Sequence, residues 1–359
     1  MLKCPERRSQ TLKSKLRRCA RLLAANLLHY TGLLRLWSRL RRIVLHKEEV
    51  CVLGIHRVMT EEDWNRSDSL DSVMLKETTF VKVLEYLDRH FCVVSLDAIL
   101  PSAGAQAQGS KPMCLLTFDD GWRDNYTTAY PALKKFKMPA TIFLTTGLIG
   151  STRTFWVEEV KRAWIDPLHR QHIQSEMGST WNDTHRASSL EGIIEFLKHL
   201  PAEERRSMLE HLRVSEENVA SGNDVDTMMT WSQVSEMSRN GIEFGSHTVT
   251  HPLLSLEAET TVERELHVAG KTLEEKLGRK VRGFAYPNGD WNERVRRQVQ
   301  LAGYECAFSV QPGWHSRGSD LYSVRRILLH ERKVTGWDGR FSAAMLSLAL
   351  AIRSRGGAA

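Results

Sequence analysis

Apolar residues along this chain come in two rhythms. Short unbroken runs at 50–58, 92–96, 113–118, 140–145, 281–286 and 306–310 read as interior strands. Between them, apolar positions three or four apart predict helices over 80–90, 130–136, 262–277 and 293–301. Residues 231–239 add a further helix, and 242–245 a short strand. Strand and helix alternate as they do in βα units, and seven or so such units predict an α/β barrel that closes imperfectly. From 151 to 230 the alternation loosens, and the helical segments 190–200 and 202–212 predict an insertion between barrel elements. The expected division is therefore a segment 1–47, a barrel 50–335 carrying the insertion 151–230, and a C-terminal helix and tail over 336–359.

The first 47 residues follow a third pattern. Leu12, Leu16, Cys19, Leu23, Leu27, Tyr30, Leu34 and Trp37 fall on one helical face, among many Lys and Arg residues. The whole chain of 359 residues has a formal net charge of +7, but residues 1–47 hold thirteen Lys or Arg against Glu6 alone. That segment carries +12 and leaves the remainder at −5. A basic amphipathic helix of this kind lies on an anionic membrane surface, packs on its own domain or a partner, or binds nucleic acid. No readout module follows, so no specific nucleic acid partner is expected. Neither a transmembrane span nor a standard signal peptide is predicted, because the apolar stretch 22–37 includes His29 and Arg35 and runs into Arg39, Arg41 and Arg42. The apolar stretch 341–352 is too short to span a bilayer.

Composition narrows the class without naming a chemistry. At 42% hydrophobic and 26% charged residues the chain is an ordinary folded protein. Its six cysteines are widely spaced with no C-x-x-C pair, which suits a reducing compartment and argues against a disulfide scaffold.

Chemistry enters at Leu116-Thr117-Phe118-Asp119-Asp120-Gly121, where two carboxylates close a buried strand. Asp-Gly often makes a simple turn. A carboxylate at the end of an interior strand otherwise needs a charged partner or a metal. A second strand end supplies Ser246-His247-Thr248-Val249-Thr250-His251-Pro252. If the chain turns there as a helix, His247 and His251 share one face, and with a carboxylate they form a zinc-type ligand set. In a barrel these strand ends meet at one face.

These two motifs, followed by Phe284-Ala285-Tyr286-Pro287-Asn288-Gly289, resemble the polysaccharide deacetylase family, the NodB homology domain of carbohydrate esterase family 4, over roughly residues 50–335. The resemblance implies a distorted (β/α) barrel of seven or eight strands and metal-dependent removal of N-acetyl groups from amino sugars in polymers. It implies Asp119 as general base, Asp120, His247 and His251 as ligands of a divalent metal ion, and the backbone N–H of Asn288, after Pro287, as oxyanion donor. Zinc is the expected ion, though cobalt, nickel or manganese would also suit these ligands. His330 resembles the family's catalytic acid, with Asp320 as a carboxylate that orients it. Where the family carries an arginine that pairs with the base, this chain has Ala285, and Arg325 or Arg326 is expected to supply the charge. Trp122 is expected to contact the sugar face or form the pocket wall, and Pro287 to contact the substrate, with Trp156 and Trp314 as weaker candidates and His56 as either a lining or a packed residue.

Tyr286-Pro287-Asn288-Gly289 also resembles a subgroup associated with bacterial exopolysaccharide assembly. With the basic segment, it implies a cytoplasmic enzyme peripheral to the inner membrane through residues 12–45, acting on a polysaccharide or lipid-linked glycan. Two alternatives stand beside it. One is a metal-dependent amidase on a small non-sugar substrate, which a closed, charged pocket would favour over an open aromatic groove. The other is a non-catalytic glycan-binding assembly protein. The sequence is silent on oligomeric state.

Overall fold

The structure, a computed structural model, describes residues 12–33, 49–100, 111–180, 189–214, 224–316 and 318–351. Its centre is one curled sheet. In chain order the strands are β1 (Glu49–Ile55), β2 (Arg57–Met59), β3 (Met74–Lys76), β4 (Cys92–Val94), β5 (Met113–Phe118), β6 (Thr141–Leu144), β7 (Glu243–Ser246), β8 (Gly283–Ala285), β9 (Cys306–Phe308), β10 (His315–Ser316) and β11 (Ile327–Leu328). The sheet runs β10-β1-β5-β6-β7-β8-β9, with β4 added on β5 and β11 on β1, while β2 and β3 pair separately.

Apart from β10, every pairing in this sheet is parallel. The segment from Val324 to Leu328 draws the two edges together. Val324 bridges Phe308 at the end of β9, and Ile327 and Leu328 then pair with Leu53 and Gly54 of β1. The expected distorted α/β barrel is thus present, and the C-terminal strand ends point their next residues at one face: His56, Asp119, His247, Tyr286 and the chain before His330.

Burial explains why the strands are continuous apolar runs. Val50, Val52, Leu115, Phe143, Ala285 and Phe308 pack together in one cluster inside the sheet. Leu53, Ile55, Leu116, Phe118, Phe80 and Phe244 belong to the larger layer shared with the helices. The helices Glu77–His90, Tyr130–Phe136, Trp231–Arg239, Glu259–Leu277 and Glu293–Leu301 lie where the apolar spacing put them.

The insertion is helical and has its own core. Helices Trp156–Ile165, Pro167–Thr180, Leu190–Lys198 and Ala202–His211 bury Val160, Trp164, Ile173, Ile193, Leu197 and Leu212 against one another. The first two of these helices had no clear signal in the sequence. Residues 181–188 and 215–223 of the insertion lie outside the described residues.

The N-terminal helix, Leu12–Tyr30, docks on the C-terminal helix Ala343–Ala351. It buries Leu22 and Ala25 against Ala344 and Met345, and His29 Nδ1 lies 3.0 Å from Ser347 Oγ. The small Ala side chains of the partner helix admit this close approach. Leu23, Leu27 and Tyr30, on the face expected to be the apolar one, are 64%, 65% and 81% exposed. Leu34 and Trp37 lie outside the described residues. No helix among the described residues is long and apolar enough to cross a membrane. Cys19, Cys51, Cys92, Cys114 and Cys306 are free thiols.

Candidate active site

The end of β5 reverses sharply. Asp120 has φ 77° and Gly121 φ 91°, both left-handed. A side chain at Gly121 would place its Cβ 2.7 Å from both Leu144 Cδ2 and Ile149 Cδ1, so glycine is required twice over. The turn leaves Asp119 only 2% exposed, its N–H on the Ile55 carbonyl at 3.0 Å.

A buried carboxylate needs a counter-charge, and Arg326 provides it. Its Nη1 donates to Asp119 Oδ1 at 2.7 Å and to Thr117 Oγ1 at 3.3 Å, and its Nε donates to the Ser309 carbonyl at 2.9 Å. The guanidinium is nearly inaccessible and rests about equally far from the rings of Phe143 and Phe308. Burial by itself raises the Asp119 pKa, but Arg326, His247 and His56 outweigh it and hold the group well below the usual carboxylate range. Arg325 points elsewhere, with Nη1 3.5 Å from the Pro312 carbonyl.

The second motif brings its histidines together without a helical turn. After β7 the backbone is irregular, with Thr248 at φ 69° and His251 at φ 61°, and Pro252 follows. Buried Glu265, on the helix Glu259–Leu277, replaces the missing helical bonds: it accepts from the N–H groups of Val249 and Thr250 at 2.7 and 2.9 Å. The His251 N–H donates to Thr248 Oγ1 at 2.9 Å.

His247 Nε2 and His251 Nε2 then stand 3.6 and 3.8 Å from Asp120 Oδ1. The three ligand atoms lie within 4.8 Å of one another. Ligands about 2.1 Å from a tetrahedral ion are roughly 3.4 Å apart, so the two distances to Asp120 are close to those of a bound set. The groups beside it are oriented accordingly. His247 Nδ1 is 2.7 Å from the Ala285 carbonyl, which requires an Nδ1–H donor and leaves the Nε2 lone pair free toward Asp120. Trp122 Nε1 donates to Asp120 Oδ2 at 3.0 Å. Burial, with His247 and Arg205 adding, pushes the His251 pKa well down, keeping it the neutral imidazole a metal takes. The residues present fit a divalent cation.

All four groups face a cavity of about 120 Å³, which is also lined by His56, Asn288, Trp156, Glu158, Lys198 and Arg205.

A family model for polysaccharide deacetylase matches residues 106–307, more than half of the chain. The chain belongs to the polysaccharide deacetylase family. Similar curated members include a putative polysaccharide deacetylase of Bacillus subtilis, 23% identical over 61% of this chain and 52% of the relative. A poly-beta-1,6-N-acetyl-D-glucosamine N-deacetylase of Staphylococcus aureus is also 23% identical, over 62% of this chain and 58% of the relative. The chain thus spans little more than half the length of these relatives. Among solved structures, IcaB from Ammonifex degensii matches with TM-score 0.53 at 19% identity, over 84% of this chain and 96% of the other. A Streptococcus pyogenes deacetylase solved with acetate matches with TM-score 0.52 at 20% identity, over 79% and 93%. At such identities the structural likeness concerns the fold.

Within this deacetylase barrel the remaining expected residues fall in different places. Asn288 lines the cavity just after Pro287, in a left-handed conformation with φ 53° that asparagine tolerates. Trp122 lines the cavity too, yet it is 2% exposed, with the Arg57 guanidinium 4.1 Å from its ring. It is therefore built to hold Asp120 and the pocket wall, with little face left for a sugar. Trp314 instead donates to the Leu350 carbonyl and is absent from the cavity lining.

His330 begins the short helix Glu331–Val334 and is not among the cavity-lining residues. Its Nδ1 is buried without a partner, and burial, reinforced by Lys333, Arg332, Arg21 and His56, lowers its pKa to about 4. Asp320 does not orient it. That carboxylate makes a two-pronged pair with Arg296, at 2.9 and 3.0 Å, and accepts from the Tyr322 N–H. His56, directly after β1, does line the cavity, with Nε2 3.8 Å from Asp119 Oδ2. Its place after an apolar strand was the only sequence signal. Glu265, Arg205 and Lys198 gave none, since each depends on how distant segments pack.

Proposed function

We propose that the protein hydrolyses the N-acetyl group of an amino sugar in a bacterial polysaccharide or lipid-linked glycan, with a divalent metal ion, zinc first, and releases acetate. The observation that carries this reading is one cavity holding a buried carboxylate pinned by Arg326 beside the set Asp120, His247 and His251.

A divalent cation bound by those three residues would polarise the amide carbonyl and make water more acidic. Arg326 fixes Asp119 in its ionised form and in one orientation, so that this carboxylate takes the proton of the attacking water. The backbone N–H at Asn288 stabilises the developing oxyanion. The leaving amine must be protonated. His56, which lines the cavity, serves that step better than His330, which does not.

The test is acetate release from N-acetylglucosamine oligomers and extracted bacterial glycans by metal-loaded protein, chelated protein and Asp119→Asn. Chelator-sensitive release that the variant loses is expected. Metal-loaded protein inactive on every glycan overturns the reading. A second reading, a small non-sugar amide, draws support from the charged residues Glu158, Lys198 and Arg205 that line the cavity.

We also infer a peripheral position on the inner face of the bacterial membrane. Exposed Leu23, Leu27 and Tyr30 on a segment of net charge +12 favour an anionic lipid surface. Sedimentation of the full chain with phosphatidylglycerol vesicles, but not with phosphatidylcholine vesicles, is expected. Equal binding to both, or none, refutes it.

A further inference from the structure

The helical insertion brings two cations to the cavity that the deacetylation chemistry leaves unused. Lys198 ends the helix Leu190–Lys198, and Arg205 sits in the next helix, Ala202–His211. Both line the cavity that holds Asp119, Asp120, His247 and His251. Arg205 is 6% exposed and close enough to His251 to depress that residue's protonation.

A guanidinium buried this far normally has a carboxylate beside it. Among the described residues Arg205 has no ion pair. Its contacts are the Leu200 carbonyl, 3.4 Å from Nη1, and the Trp156 ring, 5.2 Å from the guanidinium carbon. The nearest acidic influence is Glu257, whose Oε1 accepts from the Ala202 N–H at 2.7 Å. Glu158 shares the cavity but accepts from Ser69 and responds to Arg57. Lys198, half-buried, likewise has no ion pair among the described residues. With the three-ligand set loaded and Asp119 matched by Arg326, the cavity is cationic overall.

We propose that Arg205 and Lys198 form an anion subsite, and that the substrate is an N-acetylated amino sugar bearing a phosphate or diphosphate ester next to the sugar that is deacetylated. The inference deepens the deacetylase reading and rests on it. A phosphate ester presents more negative charge and more acceptor oxygens than a carboxylate, and so suits a guanidinium fork together with a separate ammonium point charge. Trp156, under the Arg205 guanidinium, fixes its orientation and closes the subsite on the insertion side.

The test uses the full chain in two measurements. The first is calorimetric binding of N-acetylglucosamine 1-phosphate against N-acetylglucosamine, with wild type, Arg205→Gln and Lys198→Gln, each checked for folding by circular dichroism. The second is zinc-loaded acetate release from UDP-N-acetylglucosamine, undecaprenyl-diphosphate-linked N-acetylglucosamine and neutral N-acetylglucosamine oligomers. The phosphate ester should bind about tenfold or more tighter than the neutral sugar, and each substitution should remove most of that difference. The two activated sugars separate a soluble source of the phosphate from a lipid-linked one. Deacetylation with no phosphate preference overturns the subsite and leaves the deacetylase reading standing. Phosphate-dependent binding lost in Arg205→Gln, with no acetate release from any sugar, supports the subsite and overturns the deacetylase reading.

Discussion

Replacing Arg326 with methionine removes the one cation that, among the described residues, hydrogen-bonds Asp119, while keeping an unbranched side chain of similar reach. The pair is buried on both sides, with Arg326 at 1% and Asp119 at 2% exposure, so cavity water replaces the lost contact only in part. Removing one member of a buried, hydrogen-bonded ion pair costs about 3–5 kcal/mol, because the other charge stays desolvated. Thr117 Oγ1 keeps a partner, since it donates to the Leu53 carbonyl at 2.8 Å, while the Ser309 carbonyl loses its Arg326 Nε donor and adds a neutral hydrogen bond to the cost. The larger part of the loss should fall on Asp119, whose charge is left unmatched. Metal-free wild type, Arg326→Met, Asp119→Asn and the double variant are compared by urea unfolding at pH 7, followed by circular dichroism and tryptophan fluorescence. Arg326→Met is expected to lose about 3–5 kcal/mol, and the double variant to be more stable than the sum of the single losses by more than about 1 kcal/mol. A single loss below about 1 kcal/mol, or strict additivity, refutes the claim that the pair's charges are mutually required.

Other expectations follow from the same geometry. Burial raises the Glu158 pKa from 4.5 to about 7, so its favourable contribution is full below pH 4.5 and is lost as pH rises through about 7. Glu158→Gln should then match wild type near pH 5 and exceed its stability by up to about 3 kcal/mol at pH 8; a difference independent of pH would sink this account. Trp122→Phe removes the Nε1 donor to Asp120 and should weaken zinc binding about 10- to 100-fold in a competition titration, whereas unchanged affinity would mean that Asp120 is oriented by the turn alone. His56→Ala should lower kcat for acetate release about 100-fold, and His330→Ala should leave it within a few-fold; the reverse outcome would return the acid role to His330.

The sequence by itself determined the strands, most helices and the chemistry at two strand ends. These are local properties. Apolar runs at 113–118 and 306–310 have to be interior, and Asp119-Asp120-Gly121 has to leave the sheet at a turn. Boundaries and backbone forms were harder to read. His247 and His251 converge through left-handed residues tied by Glu265, a bond whose partners are sixteen and fifteen positions away in Val249 and Thr250. No helical spacing rule reaches that arrangement.

Tertiary structure alone decided which charges meet. It chose Arg326 over Arg325 for Asp119, because only the former faces into the sheet between Phe143 and Phe308. It gave Asp320 to Arg296, put His56 ahead of His330 in the cavity, and turned Trp122 toward Asp120. It also laid Leu22 and Ala25 of the N-terminal helix on the C-terminal helix, leaving Leu23 and Leu27 outside. Hydrophobic periodicity reports whether a position is buried, since that depends on a residue's own transfer free energy. The partner of a buried charge depends on long-range packing, which brings strand ends and insertion helices far apart in sequence within a few ångströms.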